Sequence, residues 1–185
     1  NCLATLSTGL QNTCVGANAG DALTTGSENV ALGYAALSAD DVGGHNVAIG
    51  AFALQVQNFA TATDSLNTAV GYSAGNQVTT GVNNTLIGGL AGDALTTGGS
   101  NVAVGKGALT SDQKGFYSVA VGELALQSQA FTTATNAYNT AVGYNAGGGL
   151  ATGIENVAVG ALALDAAVAN NYNVAVGYRA LSSDT

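Results

Sequence analysis

A parallel β-solenoid wound from about ten short coils, most of them 17-residue and two of them 21-residue, is the fold class this 185-residue chain predicts. Three observations carry that prediction. A nine-residue phrase, clearest at Asn139–Gly147, returns from Asn12, Asn29, Asn46, Asn67, Asn84, Asn101, Ser118, Asn156 and Asn173, and self-similarity at such a period marks a repeat architecture. Within the phrase the second residue is always Val or Thr, the fourth always Val, Ile or Leu, and the fifth always Gly. A short β-branched run closed by an obligatory glycine reads as a strand ending in a tight bend. Finally, a coil this short cannot hold two packed helices with their turns, and glycine-punctuated β-branched runs oppose helix.

Taken in order along one coil, positions two to four predict the strand, which pairs with its counterpart one coil later. Positions six and seven carry Tyr, Lys, Glu, Arg, Asn and Phe without pattern and are expected to face solvent at a corner. The eighth residue is always Ala, and with Leu or Gly at the ninth it is expected to begin a second short strand. The rest is a polar loop, often Thr-Thr-Gly. Its fifteenth coil position is Gly26, Gly43, Gly81, Gly98, Gly115 and Gly153, with Asn170 once, and this Gly/Asn choice predicts a left-handed backbone there. Ten coils at roughly 4.8 Å each make a rod on the order of 50 Å long.

A larger period lies over the short one. The two long coils start at Asn46 and Ser118, and the same interval carries Gly20–Gly26 onto the identical Gly92–Gly98. The chain therefore divides into a partial coil at 1–11, two super-repeats at 12–83 and 84–155, and a remainder at 156–185, all within one domain. Its first residue is Asn1, without an initiator Met, which suggests a processed product or a fragment.

Composition narrows the function classes. Charged residues are 8% of the chain, against roughly 25% in typical soluble proteins. The net charge is −8, with only Lys106, Lys114 and Arg179 positive, too few cations to displace phosphate counterions, so nucleic acid is not an expected partner. No run of about 18 apolar residues is present, so membrane insertion is not expected. Catalysis lacks material: His45 is the only histidine and reads as a polar loop residue, leaving no Ser-His-Asp set. Gly105-Lys106-Gly107 is not a phosphate loop, because Ser or Thr does not follow the lysine. The expectation is a non-enzymatic protein without cofactor or metal.

The strand has two small or apolar faces: Val/Thr with Val/Ile/Leu at positions two and four, Ala and Gly at three and five. A solenoid has one interior, and a strand apolar on both sides is normally buried on both. The second face therefore calls for another copy of the chain. Periodicity alone assigns neither face to the interior.

The phrases Asn-Thr-Ala-Val-Gly-Tyr-x-Ala-Gly and Asn-Val-Ala-Val-Gly-x-x-Ala-Leu, with their Thr-Thr-Gly loops, resemble the head repeats of trimeric autotransporter adhesins and, more closely, the short repeats of phage-type tail fibres. The resemblance spans essentially the whole chain; the two long coils depart from it. It implies a homotrimer of left-handed parallel β-rolls around a common axis, exposed outside a cell or on a virion. The function expected is a rigid structural or adhesive fibre segment that binds carbohydrate or a cell-surface receptor. The alternative is a self-polymerising extracellular filament whose subunits stack end to end.

Within that frame, Asn29, Gly33, Ala36, Asn139, Gly143 and Ala146 read as structural positions of the motif. The motif asparagines are expected to form a column bonding loop backbone or the next coil. Cys2 and Cys14 replace small interior alanines in adjacent coils, and the pair reads as a disulfide or as small buried hydrophobes. Asp21, Asp93 and Asp165 form one column at the super-repeat interval, and Asp40, Asp112 and Asp184 another. Members of a column lie about 19 Å apart at the strand spacing, too far to share an ion, so they read as solvated loop acids rather than calcium ligands. Receptor or glycan contacts are expected at Tyr34, Tyr72, Tyr144 and Tyr178, on the sixth position, and at Phe59 and Phe131, in the long loops. Tyr117, Tyr138 and Tyr172, each just before a motif, offer a further aromatic row.

Overall fold

The computed structural model describes residues 2–166 and 168–182; Asp184 lies outside them. Ten three-residue strands form one parallel sheet: β1 (Thr13–Val15), β2 (Val30–Leu32), β4 (Val47–Ile49), β6 (Thr68–Val70), β7 (Thr85–Ile87), β8 (Val102–Val104), β10 (Val119–Val121), β12 (Thr140–Val142), β13 (Val157–Val159) and β14 (Val174–Val176). Each pairs in register with the same motif positions one coil on, Ala31 opposite Ala48 and Ala103 opposite Ala120. Two smaller pairs sit where the coils are long. Strand β3 (Gly43–Gly44) pairs with β5 (Thr63–Asp64), and β9 (Gly115–Phe116) with β11 (Thr135–Asn136). No helix occurs among the described residues, and the chain is a parallel β-solenoid of about ten coils.

The structure decides which face is inside. Position three points inward: Ala31, Ala48, Ala69, Ala103, Ala120, Ala141 and Ala158 are fully buried. Positions two and four point out. Position eight supplies a second buried alanine column, Ala36 to Ala163. An interior of alanines leaves room for about one larger side chain per coil, and two positions share that task. Where the ninth residue is Leu (Leu37, Leu54, Leu109, Leu126, Leu164), that side chain fills the roll. Where it is Gly (Gly20, Gly75, Gly92, Gly147), the twelfth residue fills it instead, as Leu23, Val78, Leu95 and Leu150. Burying each such side chain contributes roughly 1.5–3 kcal/mol.

Leu86, the one large residue at position three, is a second buried leucine in its coil beside Leu95, and the glycines at position nine make room for it. A methyl group added to Gly75 or to Gly92 would come within 2.7 Å of its Cδ atoms. Cys14, the other exception at that position, faces Gly20 in the same way, 2.7 Å from a would-be Cβ.

Two local expectations are corrected. No second strand begins at Ala36; positions seven and nine both take left-handed backbone, as at Ala35 (φ 52°) and Leu37 (φ 50°). This zigzag aims successive N–H groups at opposite neighbours: Ala35 N–H bonds to Ala17 O below, and Leu37 N–H to Ala53 O above, each at 2.9 Å. Leucine in that conformation costs roughly 1–2 kcal/mol, which its burial offsets. Positions six and seven lie at the corner as expected, where the small Ala35, Ser73 and Gly107 are covered and the larger residues at position seven stay partly exposed.

The glycines at position fifteen are not left-handed either. The left-handed residue of each loop is the last one before the motif, as at Glu28 (φ 60°), His45 (φ 62°) and Tyr117 (φ 62°). Position fifteen requires glycine for space: a Cβ on Gly26 would overlap Gly43 O, and one on Gly43 would overlap Asp40 Oδ2. The fifth-position glycines need both licences. Gly33 has φ +137°, and its Cβ would lie 2.6 Å from Gly50 C in the next coil.

The motif asparagine ties these parts together. Asn29 Nδ2 donates to Gly43 O at 3.0 Å, closing its own coil, while its Oδ1 accepts the Asn46 N–H at 3.0 Å from the next coil. Asn84 repeats the bracket onto Gly98 O and the Asn101 N–H, and Asn139 onto Gly153 O and the Asn156 N–H.

The volume rule yields a measurable coupling. Leu86→Ala is expected to lower unfolding stability by about 2–5 kcal/mol. Gly75→Ala, destabilising by itself, is expected to cost less in the Leu86→Ala background, with a coupling of roughly 0.5–3 kcal/mol. Chemical denaturation of the four proteins checks this; additive effects would refute the shared-volume account.

Candidate functional site

The aspartates of the second column are not solvated loop acids. Asp40 and Asp112 occupy the twelfth coil position, where the coils with Gly at position nine place Leu or Val, and both are fully buried inside the roll. Position nine is Leu in these coils, so the apolar slot is already filled and the twelfth residue serves another need. Asp40 Oδ1 accepts the Gly43 N–H at 2.9 Å and Oδ2 accepts Gln57 Nε2 at 2.7 Å. Gln57, itself buried, passes the chain on, its Oε1 accepting Asn67 Nδ2 at 2.8 Å. The second super-repeat copies this: Gln129 Nε2 donates to Asp112 Oδ2 at 2.6 Å, and Asn139 Nδ2 to Gln129 Oε1 at 2.8 Å. The Phe131 N–H adds a further bond to Asp112 Oδ1 at 3.0 Å.

These buried relays span the two coils at which each long loop leaves the regular path. Burial pushes both carboxyls above the ordinary aspartate range, against the downward pull of the amide and N–H donors. In the first column, Asp21, Asp93 and Asp165 are half-buried, and Asp93 Oδ1 accepts Thr110 Oγ1 at 2.5 Å. Among the described residues no group of three or more His, Cys, Asp or Glu side chains is placed to hold a metal ion.

The aromatic candidates separate into two kinds. Phe59 and Phe131 are 7% and 6% exposed. Little of either ring is open to a receptor in the single chain. Tyr34, Tyr72, Tyr144 and Tyr178 are exposed at the sixth position. Phe52, at position seven, stands between the first two, edge-on to Tyr34 at 5.3 Å and to Tyr72 at 5.9 Å. On the ledge just before the motif, Tyr117 and Tyr138 stack at 5.2 Å with rings 8° apart, while Tyr172 is exposed.

Cys2 and Cys14 do come together: Cys2 Sγ lies 2.8 Å from Cys14 O, and both are thiols in this structure. Burial first, then the neighbouring Cys2, pushes the Cys14 thiol up to about 11. Little of it is thiolate near neutrality, so it is a slow nucleophile in thiol–disulfide exchange.

His45 stands apart from the other loop residues. Its Nδ1 lies 3.1 Å from Asp64 Oδ1 and its Nε2 3.3 Å from Glu28 Oε2, so one imidazole bridges carboxylates from the coils on either side. It borders a surface cavity of about 180 Å³ at the β3–β5 pair. Sequence reasoning missed this ledge because Glu28 and Asp64 are two coils apart along the chain and meet only through stacking.

Against known proteins, the chain matches no family model, no curated protein and no solved structure. Its likeness to adhesin and tail-fibre repeats therefore rests on the motif and on the solenoid itself.

The buried aspartates set a pH dependence. A carboxyl whose folded value is raised holds its proton more tightly in the native state. Its contribution is present below the unfolded value and is lost as pH rises through the folded one. From about pH 4 upward, the melting temperature of the wild type is expected to fall relative to that of an Asp40→Asn/Asp112→Asn variant. Thermal melts of both proteins across that range check the sign; parallel curves would remove the buried-charge account.

Proposed function

We propose that this chain is a non-enzymatic building segment of an extracellular or virion fibre, a left-handed β-roll that assembles as a homotrimer and binds surface carbohydrate. The observation that supports the assembly is the outer face of the ten-stranded sheet. Positions two and four line it with Val, Thr, Ile and Leu in every coil, and Leu32, Ile87, Val142 and Val176 remain exposed in the single chain. At the strand spacings this stripe is about 48 Å long and about 10 Å wide, roughly 480 Å². An apolar area of that order equals the largest patch of a typical monomer, which is often functional. A second copy offers the same repeat at the same pitch, so every coil finds an equivalent coil. The adhesive part of the proposal rests on the exposed Tyr34, Tyr72, Tyr144 and Tyr178.

A second reading, end-to-end polymerisation into a filament, draws on a different observation. The outer edges of β1 and β14 pair with no strand among the described residues, and Val174 and Val176 are about two-thirds exposed. Unpaired strand edges are templates for another chain.

Light scattering on the purified protein is expected to give three times the 17.9 kDa chain mass. Val104→Lys with Val121→Lys, on adjacent outer strands, is expected to yield a monomer that keeps its β circular dichroism. A monomeric wild type in native buffer would sink the trimer. Electron micrographs showing indefinitely long fibres, in place of short rods, would favour the filament.

The extracellular setting carries its own check. Protein recovered from that setting is expected to gain two hydrogen masses on reduction as a Cys2–Cys14 disulfide opens; an unchanged mass would leave both residues as free thiols.

A further inference from the structure

The two super-repeats are diverged copies of one another, and the ledge beside their long loops is where they differ at every position. In the second block, Phe116 of β9 turns its ring onto Gly99, coming within 3.3 Å of the place a Cβ would take there. Its neighbours on that ledge are Tyr117, Tyr138 and Asn136. The equivalent residues of the first block, one super-repeat earlier, are Gly44 for Phe116, Ser27 for Gly99, His45 for Tyr117, Leu66 for Tyr138 and Asp64 for Asn136. Without the phenyl ring the space is open. It is the cavity of about 180 Å³ beside β3 and β5.

Its lining differs in chemistry from the ring it lacks. Val42, Gly44 and Ala62 supply apolar surface, while Thr25, Ser27 and Thr63 supply hydroxyls. His45 and Asp64 complete the lining, and the Glu28 carboxylate behind His45 holds the imidazole from below. The backbone under these groups is as regular as elsewhere: β3 pairs with β5 in register, Gly44 opposite Asp64. The long loop that carries Asp64 is held in turn by the buried Asp40–Gln57–Asn67 relay. The acceptors and donors around the cavity are therefore mounted on hydrogen-bonded coils.

Size and lining select a ligand class. An enclosed cavity of roughly 150 Å³ accommodates one benzene ring; this one, of similar volume and open to solvent on one side, seats one six-membered ring with its substituents turned outward. Hydroxyl, imidazole and carboxylate groups around apolar surface suit a ring that bears hydroxyls at its edge and C–H groups on its faces. Two carboxylates, in a chain of net charge −8, disfavour an acidic ring. We propose that the Gly44 cavity, lined by His45, Asp64, Ser27, Thr25 and Thr63, is a binding site for one neutral hexopyranose unit of a carbohydrate. This deepens the adhesive part of the function proposed above and rests on it. The site belongs to the first block alone, since Phe116 fills its counterpart.

The internal duplication supplies the control. Gly44→Phe with Ser27→Gly copies into the first block the pair the second block already carries, so the variant is expected to fold with an unchanged or higher melting temperature. Saturation-transfer NMR on the assembled protein would use a panel of neutral hexoses, N-acetylhexosamines, sialic acid and, as a plain ring, phenol. At least one neutral pyranose is expected to give a signal that the filled variant loses completely and Asp64→Asn reduces several-fold. A signal of equal strength in the filled variant would overturn the site, and so would a panel in which only phenol or sialic acid responds, or none does. Light scattering on the same samples reports the trimer independently, so failure of the sugar site and failure of the assembly are read apart.

Discussion

A side-chain amide on every coil but one, fully buried in seven of the ten, holds this solenoid in register. The motif asparagine closes its own coil through a loop carbonyl further along the chain and receives the first N–H of the next coil. Both groups it serves are buried backbone, and leaving one unpartnered costs about 1–3 kcal/mol. Such short strands have few ladder bonds of their own. The amide column supplies registration that such short pairings lack, and it allows coils of two different lengths to follow the same strand. Where Ser118 interrupts the column, Gln129 reaches in from the same coil, its Nε2 donating to Ser118 Oγ at 2.9 Å and its Oε1 accepting Asn139 Nδ2.

Inside the amide column the core is governed by volume. Two alanines per coil set the wall spacing, and a single larger residue fills what remains. Because the slot can be entered from position nine or position twelve, the sequence alternates Leu then polar with Gly then Leu. The polar alternative places a carboxylate and an amide inside the roll at the coils that branch into long loops. Those loops carry the residues that distinguish one super-repeat from the other, so the buried relay and the variable ledge form one unit.

Duplication also separates building from recognition. Positions that face the interior or the next coil are nearly invariant from block to block, since any change there meets a neighbour within one coil spacing. The ledge before the motif is free of that constraint, and there the blocks part: an imidazole between carboxylates beside an open cavity in one, a packed aromatic cluster in the other.

The solenoid, its coil count, its parallel stacking and the bend at the fifth position are written in the sequence by itself, because a repeat at fixed period with a β-branched strand and an obligatory glycine has few ways to pack. Individual roles are less legible. Asp40 reads as a loop acid, yet it is buried, because burial depends on whether position nine has already filled the core. Gly43 reads as left-handed, yet it is small to make room for a carboxylate. Leu37 reads as strand, yet its φ is positive, since the backbone must turn its N–H groups toward two different neighbours. Phe59 reads as a receptor contact, yet its side chain is buried in the single chain. The inward choice of the alanine face and the meeting of Glu28, His45 and Asp64 are decided only in three dimensions. Both depend on which atoms lie one coil above and below, a distance of about 4.8 Å in space that the chain crosses only after a full turn.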